Sequence, residues 1–412
     1  MLDCRRIRED FPELETGVVF LDNAASTLKP RSVVEAMADF SIKRYANVHR
    51  GVYKISLEAS KAYEDAHEAV AKFIGGRWSE VIFTRNSTEA LQLAALTVYA
   101  NKMLGRGDEV LITMAEHHSN MLPWLRVAEM AGARLKVLPL DSEGIPRWDL
   151  LDEYLTRRTR VVAFGHISNV TGFKSPVREI ARRAKEVGAI VVLDSAQGVP
   201  HTPVNFRSMG VDMAAFSGHK MLGPTGIGVL WMREDLAETL NPPLGGGGTV
   251  ERVEMVDGSI KISWERPPWK FEAGTPPIIE AIGLMEAVNY LSRIGMDNVE
   301  EHERRLTKVL LEKLGELDYV EILGPRSHER RQGIVAFNIG GMKPDWAGLA
   351  LSRRGIAVRT GLHCAHILHD HLGSPQGSVR ASLYIYNCID DIEKLVDAVE
   401  HVYKRHGGEG KH

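Results

Sequence analysis

Between residues 81 and 232 short apolar runs alternate with amphipathic helical stretches, and this alternation constrains the fold more than any other feature of the chain. The runs are "VIFT" at 81, "EVLIT" at 109, "LKVLPL" at 135, "RVVAFGHIS" at 160, "AIVVLD" at 189, "MAAFS" at 213 and "GIGVLWM" at 226. Helical patterns start at Glu89 and recur around 122–131, near 147–156 and at 176–187. Runs this short and this uniformly apolar read as strands covered on both faces, since a strand wetted on one side would alternate polar and apolar residues. The expected fold is α/β: a mostly parallel seven-stranded sheet sandwiched by helices. Two further amphipathic helices precede it, at 31–45, opened by Pro30, and at 56–76, closed by Gly75 and Gly76.

A Gly/Pro-rich connection at 241–259 interrupts this pattern, and "FEAGTPP" resumes it at Phe271. Beyond lie long helices at 277–294 and 297–316, then strands "YVEIL", "GIVAFNI" and "IAVRT" among further helices. That style predicts a smaller α+β C-terminal domain. The division expected is a large domain over 16–293 and a small one formed by 1–15 with 294–412. The closing "HGGEGKH" reads as a frayed tail.

Charge and cysteine usage narrow the function classes. Lys plus Arg number 51 against 54 Asp plus Glu, a formal charge of −3, so no basic field recruits nucleic acid. No stretch approaches the ~18 apolar residues of a membrane span, and "MLDCRRIREDFPEL" has no apolar leader core, so a cytoplasmic address and no membrane partner are expected. Cys4, Cys364 and Cys388 are an odd, sparse set that suits a reducing compartment rather than a disulfide scaffold.

In open α/β sheets the carboxyl ends of strands carry the functional groups. Here "VVLDSAQ" ends in Asp194 and Gln197, "HISNVTG" in His166 and Asn169, "TMAEHHSNMLPW" in His117 and His118, and "IFTRNSTEA" in Ser87 and Thr88. Each has an ordinary explanation: Ser87 or Thr88 as a helix N-cap, Asp194 as a strand-end carboxylate or metal ligand, His118 as a satisfied histidine. "FSGHKMLGP" is less ordinary, because it sets Lys220 between two buried strands. One account is a lysine whose stem is buried and whose ammonium reaches water. The other is an amine kept uncharged by burial and a neighbouring cation, and therefore able to form a Schiff base with an aldehyde. Pyridoxal phosphate asks for such an amine, a carboxylate at its ring nitrogen and donors for its phosphate. Asp194 can be the carboxylate; Ser87, Thr88, Ser217, His219 and the amides opening the helix after Asn86 can take the phosphate.

The set "LDNAASTLKP", "HRGVYKIS", "EHHSNMLPW", "SNVTG", "LDSAQ", "FSGHKMLGPTGIGVL", "FEAGTP", "VRTGLHCA" and "VRASLYIYN" resembles the SufS-type cysteine desulfurases, class V, fold-type I pyridoxal phosphate enzymes, from about residue 18 to about 390. The resemblance implies that Lys220 holds the cofactor, Asp194 faces the pyridinium, Gln197 donates to the ring hydroxyl, and His118 stacks on the ring and carries protons. It implies a homodimer whose site is completed across the interface by Thr275, beside Gly274, with Arg50 near the substrate entrance. It makes Cys364 the nucleophile that takes sulfur from L-cysteine as a persulfide, leaving L-alanine, for delivery to an acceptor or scaffold protein of iron–sulfur assembly. Arg380 is expected to fork onto the substrate carboxylate with Asn169 assisting, and Arg359 to line the same pocket.

Two departures stand out: Leu362 where many such enzymes read His, and His366 two residues past the cysteine. Two other readings remain. A selenocysteine lyase or another class V aminotransferase-like enzyme would keep the cofactor and need no persulfide on Cys364. Cys364, His366, His369 and His371 lie within eight positions and are residue types that bind soft or borderline metals, although the spacing fits no standard zinc pattern. Without a metal they form a solvated histidine-rich loop.

Overall fold

A computed structural model describes residues 2–406. The expected frayed tail lies outside them except for His406, which ends the last helix. All seven apolar runs form one sheet: β1 Val81–Thr84, β2 Glu109–Thr113, β3 Arg134–Leu138, β4 Thr159–Gly165, β5 Ile190–Asp194, β6 Met213–Ser217 and β7 Gly228–Met232. Their spatial order is β1-β7-β6-β5-β4-β2-β3. From β6 to β3 neighbours are parallel, while β7 runs antiparallel to both β6 and β1. The link from β6 to β7, residues 218–227, is too short for the helical crossover that a parallel neighbour needs.

The sheet is covered on both faces, as the uniform runs require. Leu193, Ala214, Phe216, Val229 and Trp231 join one buried core; Val192, Met213, Ala215, Leu230 and Met232 join another on the opposite side. Successive residues of a strand point to opposite faces, so the two cores take alternate positions. The first core is closed by α1 Arg31–Lys43, α2 Lys54–Phe73 and α6 Ile278–Ile294; the second by α3 Ser87–Ala100 and α4 His118–Ala131. α5 Val177–Glu186 also packs into the first core, beside β5, whereas α7 Met296–Gly315 packs against the C-terminal strands. The helix expected near 147–156 shortens to a 3-10 turn, Trp148–Leu150, and a single turn, Leu151–Tyr154.

Three features depart from the sequence reading. The connection at 241–259 is not irregular throughout: β8 Val250–Val256 and β9 Ser259–Trp264 form an exposed antiparallel hairpin, with positive φ at Asp257 and Gly258 as a tight primed turn requires. In the C-terminal part, "SVRAS" is itself a strand, inside an antiparallel sheet ordered β10 Val320–Leu323, β11 Ile334–Ile339, β13 Ser378–Ser382 and β12 Arg359–Gly361. A final helix, α8 Ile389–His406, follows. Third, Cys4 and Cys388 are not isolated thiols. Their Cα atoms lie 5.8 Å apart and the two are disulfide-bonded, joining the N-terminal helical turn Cys4–Arg8 to the residue before α8.

That bridge closes a separation of 384 residues. Unfolded but unreduced protein is therefore expected to titrate one thiol, Cys364, and reduced protein three. Cys388→Ser is expected to lower unfolding free energy by about 2–4 kcal/mol in denaturant titrations without reductant. Three reactive thiols before reduction would refute the pairing.

Candidate active site

The carboxyl ends of β4, β5 and β6 lie side by side, with Gly165 paired to Asp194 and Asp194 to Ala215. Over them opens a cavity of about 400 Å³, roofed by Arg359, Arg380 and the turn at His363 and Cys364. On its floor, β6 ends at Ser217 and turns through a short 3-10 segment that carries Lys220. Lys220 faces the cavity and is otherwise enclosed by protein. Desolvation pulls its ammonium down to about 8; Asp194 opposes that shift, and Arg380 adds to it. Asp194 is itself raised above the usual carboxylate range by burial, against the Ala196 amide that it accepts at 3.0 Å and the charge of Lys220.

The helix opening is built to meet an anion. Asn86, rather than Ser87 or Thr88, caps α3, accepting from the Glu89 amide at 3.0 Å. This frees Ser87, whose amide donates to Ser217 Oγ at 2.8 Å and whose hydroxyl accepts from it at 3.0 Å. Thr88 bonds Ser119 at 2.7 Å, adding a hydroxyl that the sequence did not single out. A Cβ at Gly228 would stand 2.5 Å from the Asn86 backbone, so β7 needs glycine there for the helix to begin where it does. Beside these groups the His219 imidazole is pushed down to about 4, first by burial and then by Lys220.

Of the two adjacent histidines, the structure turns His117 into the cavity and His118 away from it. This corrects the assignment of the ring-facing role to His118. The reason lies in the helix start: His117 is the N-cap of α4, its Nδ1 accepting from the Ser119 amide at 3.1 Å. The proton of the neutral ring therefore sits on Nε2. Burial, then Lys220, hold His117 down to about 3. His118 packs edge-on against His366 at 4.5 Å, and its amide donates to the Cys364 carbonyl at 2.9 Å.

Substrate-side groups come from the C-terminal sheet. Arg380, buried on β13, donates to the Asn169 carbonyl at 2.9 Å and pairs with Asp22 at 3.5 Å, while its Nε has no partner. Arg359 also pairs with Asp22, at 2.9 Å. Asn169 donates to the His363 carbonyl at 2.8 Å, fixing the turn in which His363 and Cys364 take φ of 48° and 56°. Two consecutive non-glycine residues in the left-handed region are uncommon and cluster at functional sites. The free Cys364 is exposed at the cavity mouth.

Gly274, Thr275 and Arg50 stand outside this cavity. Thr275 borders a hollow that shares Asn86 and Thr88 with it; Arg50 and Gly274 line another beside Trp269 and Glu272. The residues of the metal reading diverge: His369 turns to Ser378 and the Ala365 carbonyl, His371 to the Asp141 carbonyl, and His366 to His118. Among the described residues no three potential ligands converge. Sequence reasoning missed Glu116, buried in the cavity wall, whose oxygens accept from Thr113 at 2.6 Å and Asn120 at 2.7 Å. Its position directly before "HH" at a strand end was the available signal.

The residues present fit pyridoxal phosphate: a desolvated amine, a buried carboxylate in the same cavity, hydroxyls at a helix N-terminus, and an arginine with an unused donor. Comparison with known proteins agrees. The chain belongs to the class-V aminotransferase family, whose pattern matches residues 19–395, and has the fold-type I architecture of pyridoxal-phosphate-dependent enzymes. It is 63% identical to a probable cysteine desulfurase of Aeropyrum pernix, over 97% of this chain and 98% of that one. The apo cysteine desulfurase of Thermococcus onnurineus superposes with a TM-score of 0.93 at 40% identity, covering 98% and 99% of the two chains. The Escherichia coli cysteine desulfurase CsdA superposes at 0.89, with 36% identity over 98% and 99%.

Glu116 gives a pH test. Burial raises it from 4.5 to about 7, so the stability tied to its neutral form is present below pH 4.5 and is lost as pH rises through 7. Glu116→Gln is expected to match the parent at low pH and to exceed it in unfolding free energy above pH 7. A difference independent of pH would refute the shift.

Proposed function

We propose that this chain is a SufS-type cysteine desulfurase that converts L-cysteine to L-alanine and receives the sulfur on Cys364. The observation that carries the reading is Cys364 held in a left-handed turn at the mouth of the cavity whose floor presents Lys220. Lys220 and Asp194 would hold pyridoxal phosphate by its aldehyde and ring nitrogen. Ser87, Thr88, Ser217 and His219 would hold its phosphate, Gln197 its ring hydroxyl, and His117 its ring face. When bound, that cofactor supplies an electron sink for the bonds at the substrate α-carbon.

The protein's own groups do the rest. Arg380, with its free Nε, and Arg359 bind the substrate carboxylate, which competes with Asp22 for the two guanidinium groups. Lys220, with an ammonium that titrates near 8, exchanges the α-proton close to neutral pH. The Cys364 thiolate attacks the substrate sulfur: an S–S bond forms, the C–S bond breaks, and its electron pair stays with the substrate carbon, which is protonated to alanine. The persulfide on the exposed turn is then open to an acceptor protein of iron–sulfur assembly in the cytoplasm.

A homodimer belongs to the same reading. Gly274, Thr275 and Arg50 lie outside the cavity of their own chain, and the hairpin β8–β9 exposes Val253, Met255, Ile260 and Ile262, an apolar surface that a second copy can cover. Light scattering is expected to give twice the chain mass of 45.8 kDa; a monomer would contradict this part of the reading.

Cys364→Ala is expected to abolish sulfide and alanine formation from L-cysteine while retaining cofactor absorbance. Full desulfuration by that variant would exclude the persulfide route and favour a selenocysteine lyase or another aminotransferase-like activity. Arg380→Lys is expected to raise KM for L-cysteine about tenfold or more, because a lysine cannot reproduce the fork.

A further inference from the structure

Gln197 heads a buried chain of polar groups that runs away from the cavity. Its Nε2 donates to the Ala24 carbonyl at 2.7 Å, and its Oε1 faces His201 Nε2 at 3.3 Å. His201 Nδ1 lies 2.9 Å from Glu303 Oε1, and Glu303 Oε2 accepts from Gln332 at 3.2 Å. Glu303 belongs to α7, which follows the helices packed on the large sheet, and both it and His201 have zero exposure. The His201 imidazole is the ring that faces Glu303, and among the described residues no Lys or Arg reaches that carboxylate.

Elementary hydrogen-bond chemistry fixes the direction of this chain. An amide oxygen only accepts, so His201 Nε2 carries a hydrogen. Burial raises Glu303, and one proton is held between it and His201 Nδ1. Whichever of the two carries that proton, Nε2 remains a donor and Gln197 Oε1 remains occupied. One Nε2 hydrogen of Gln197 is spent on Ala24; the second has no acceptor among the described residues, and Gln197 lines the cavity. The relay removes the cost of a buried, unpaired amide oxygen and polarises the N–H pointing inward.

We propose that His201 and Glu303 are positioning residues that act through Gln197, holding one of its amide hydrogens toward the cavity as the donor to the ring oxygen of the bound cofactor. The proposal rests on the pyridoxal phosphate reading. A glutamine side chain can place an N–H near the position of His Nε2, whereas phenylalanine fills the space with no donor, so the pair His201→Gln and His201→Phe separates hydrogen bonding from packing.

Each variant and the parent are loaded with pyridoxal phosphate. The dissociation constant is measured by equilibrium dialysis, and the pH midpoint of the cofactor's visible absorbance by titration. Apoprotein melting serves as the check on folding. His201→Phe is expected to weaken cofactor binding about tenfold and to move the midpoint upward, since a donor to the ring oxygen competes with that oxygen's hold on the neighbouring proton. Glu303→Leu is expected to shift both in the same direction, and His201→Gln to stay within about twofold of the parent. A His201→Phe protein that binds and titrates like the parent would overturn the relay, as would equal impairment of the Gln and Phe variants. A parent that binds no pyridoxal phosphate would overturn the functional reading itself, and the relay with it.

Discussion

The site depends on an unfavourable act: placing a lysine ammonium just beyond the end of a central strand that is buried on both faces. Desolvation of Lys220 is the largest influence on its protonation, and Asp194, paired through the sheet to the strand that leads into the Lys220 turn, supplies the main opposing attraction. Neither group is well satisfied by the protein alone. Asp194 is pushed toward its neutral form even with Lys220 near, and Lys220 donates no hydrogen bond to a side chain among the described residues. A chain that retains this arrangement gives up stability, and such costs collect where function uses them.

Topology explains why the remaining groups gather there. The parallel strands β4, β5 and β6 all end on one edge, so Asp194, Ser217 and the residues that follow each strand arrive together. The antiparallel sheet then brings β12 and β13 over that edge, and Asp22 ties Arg359 and Arg380 into one cluster. The turn at His363 and Cys364 is tied from two sides, by Asn169 to the His363 carbonyl and by the His118 amide to the Cys364 carbonyl. His118 thus matters through its backbone, on the loop whose neighbour His117 supplies the imidazole.

Much of this was legible in the sequence because it follows from local pattern. Uniform apolar runs identified all seven strands of the large sheet, and polar residues at their ends identified Lys220, Asp194, Gln197, Ser217 and His219. What was missed depends on three-dimensional proximity or on a single residue's direction. Two adjacent histidines at a helix start differ only in which one caps the helix. Cys4 and Cys388 are drawn together by the fold across nearly the whole chain. The four glycines at 245–248 masked a hairpin only two residues further on. "SVRAS", with an arginine at its centre, lacks the apolar signature of a strand although all five residues are buried. Glu303 and Gln197 lie 106 positions apart, with His201 between them in space, and no spacing rule connects them.

The central claim is that residue 220 presents an amine able to condense with an aldehyde. Borohydride reduction of protein loaded with pyridoxal phosphate, followed by peptide mapping with mass spectrometry, tests it directly. The account predicts one pyridoxyl group, on Lys220; a modification on another lysine, or none, would contradict it.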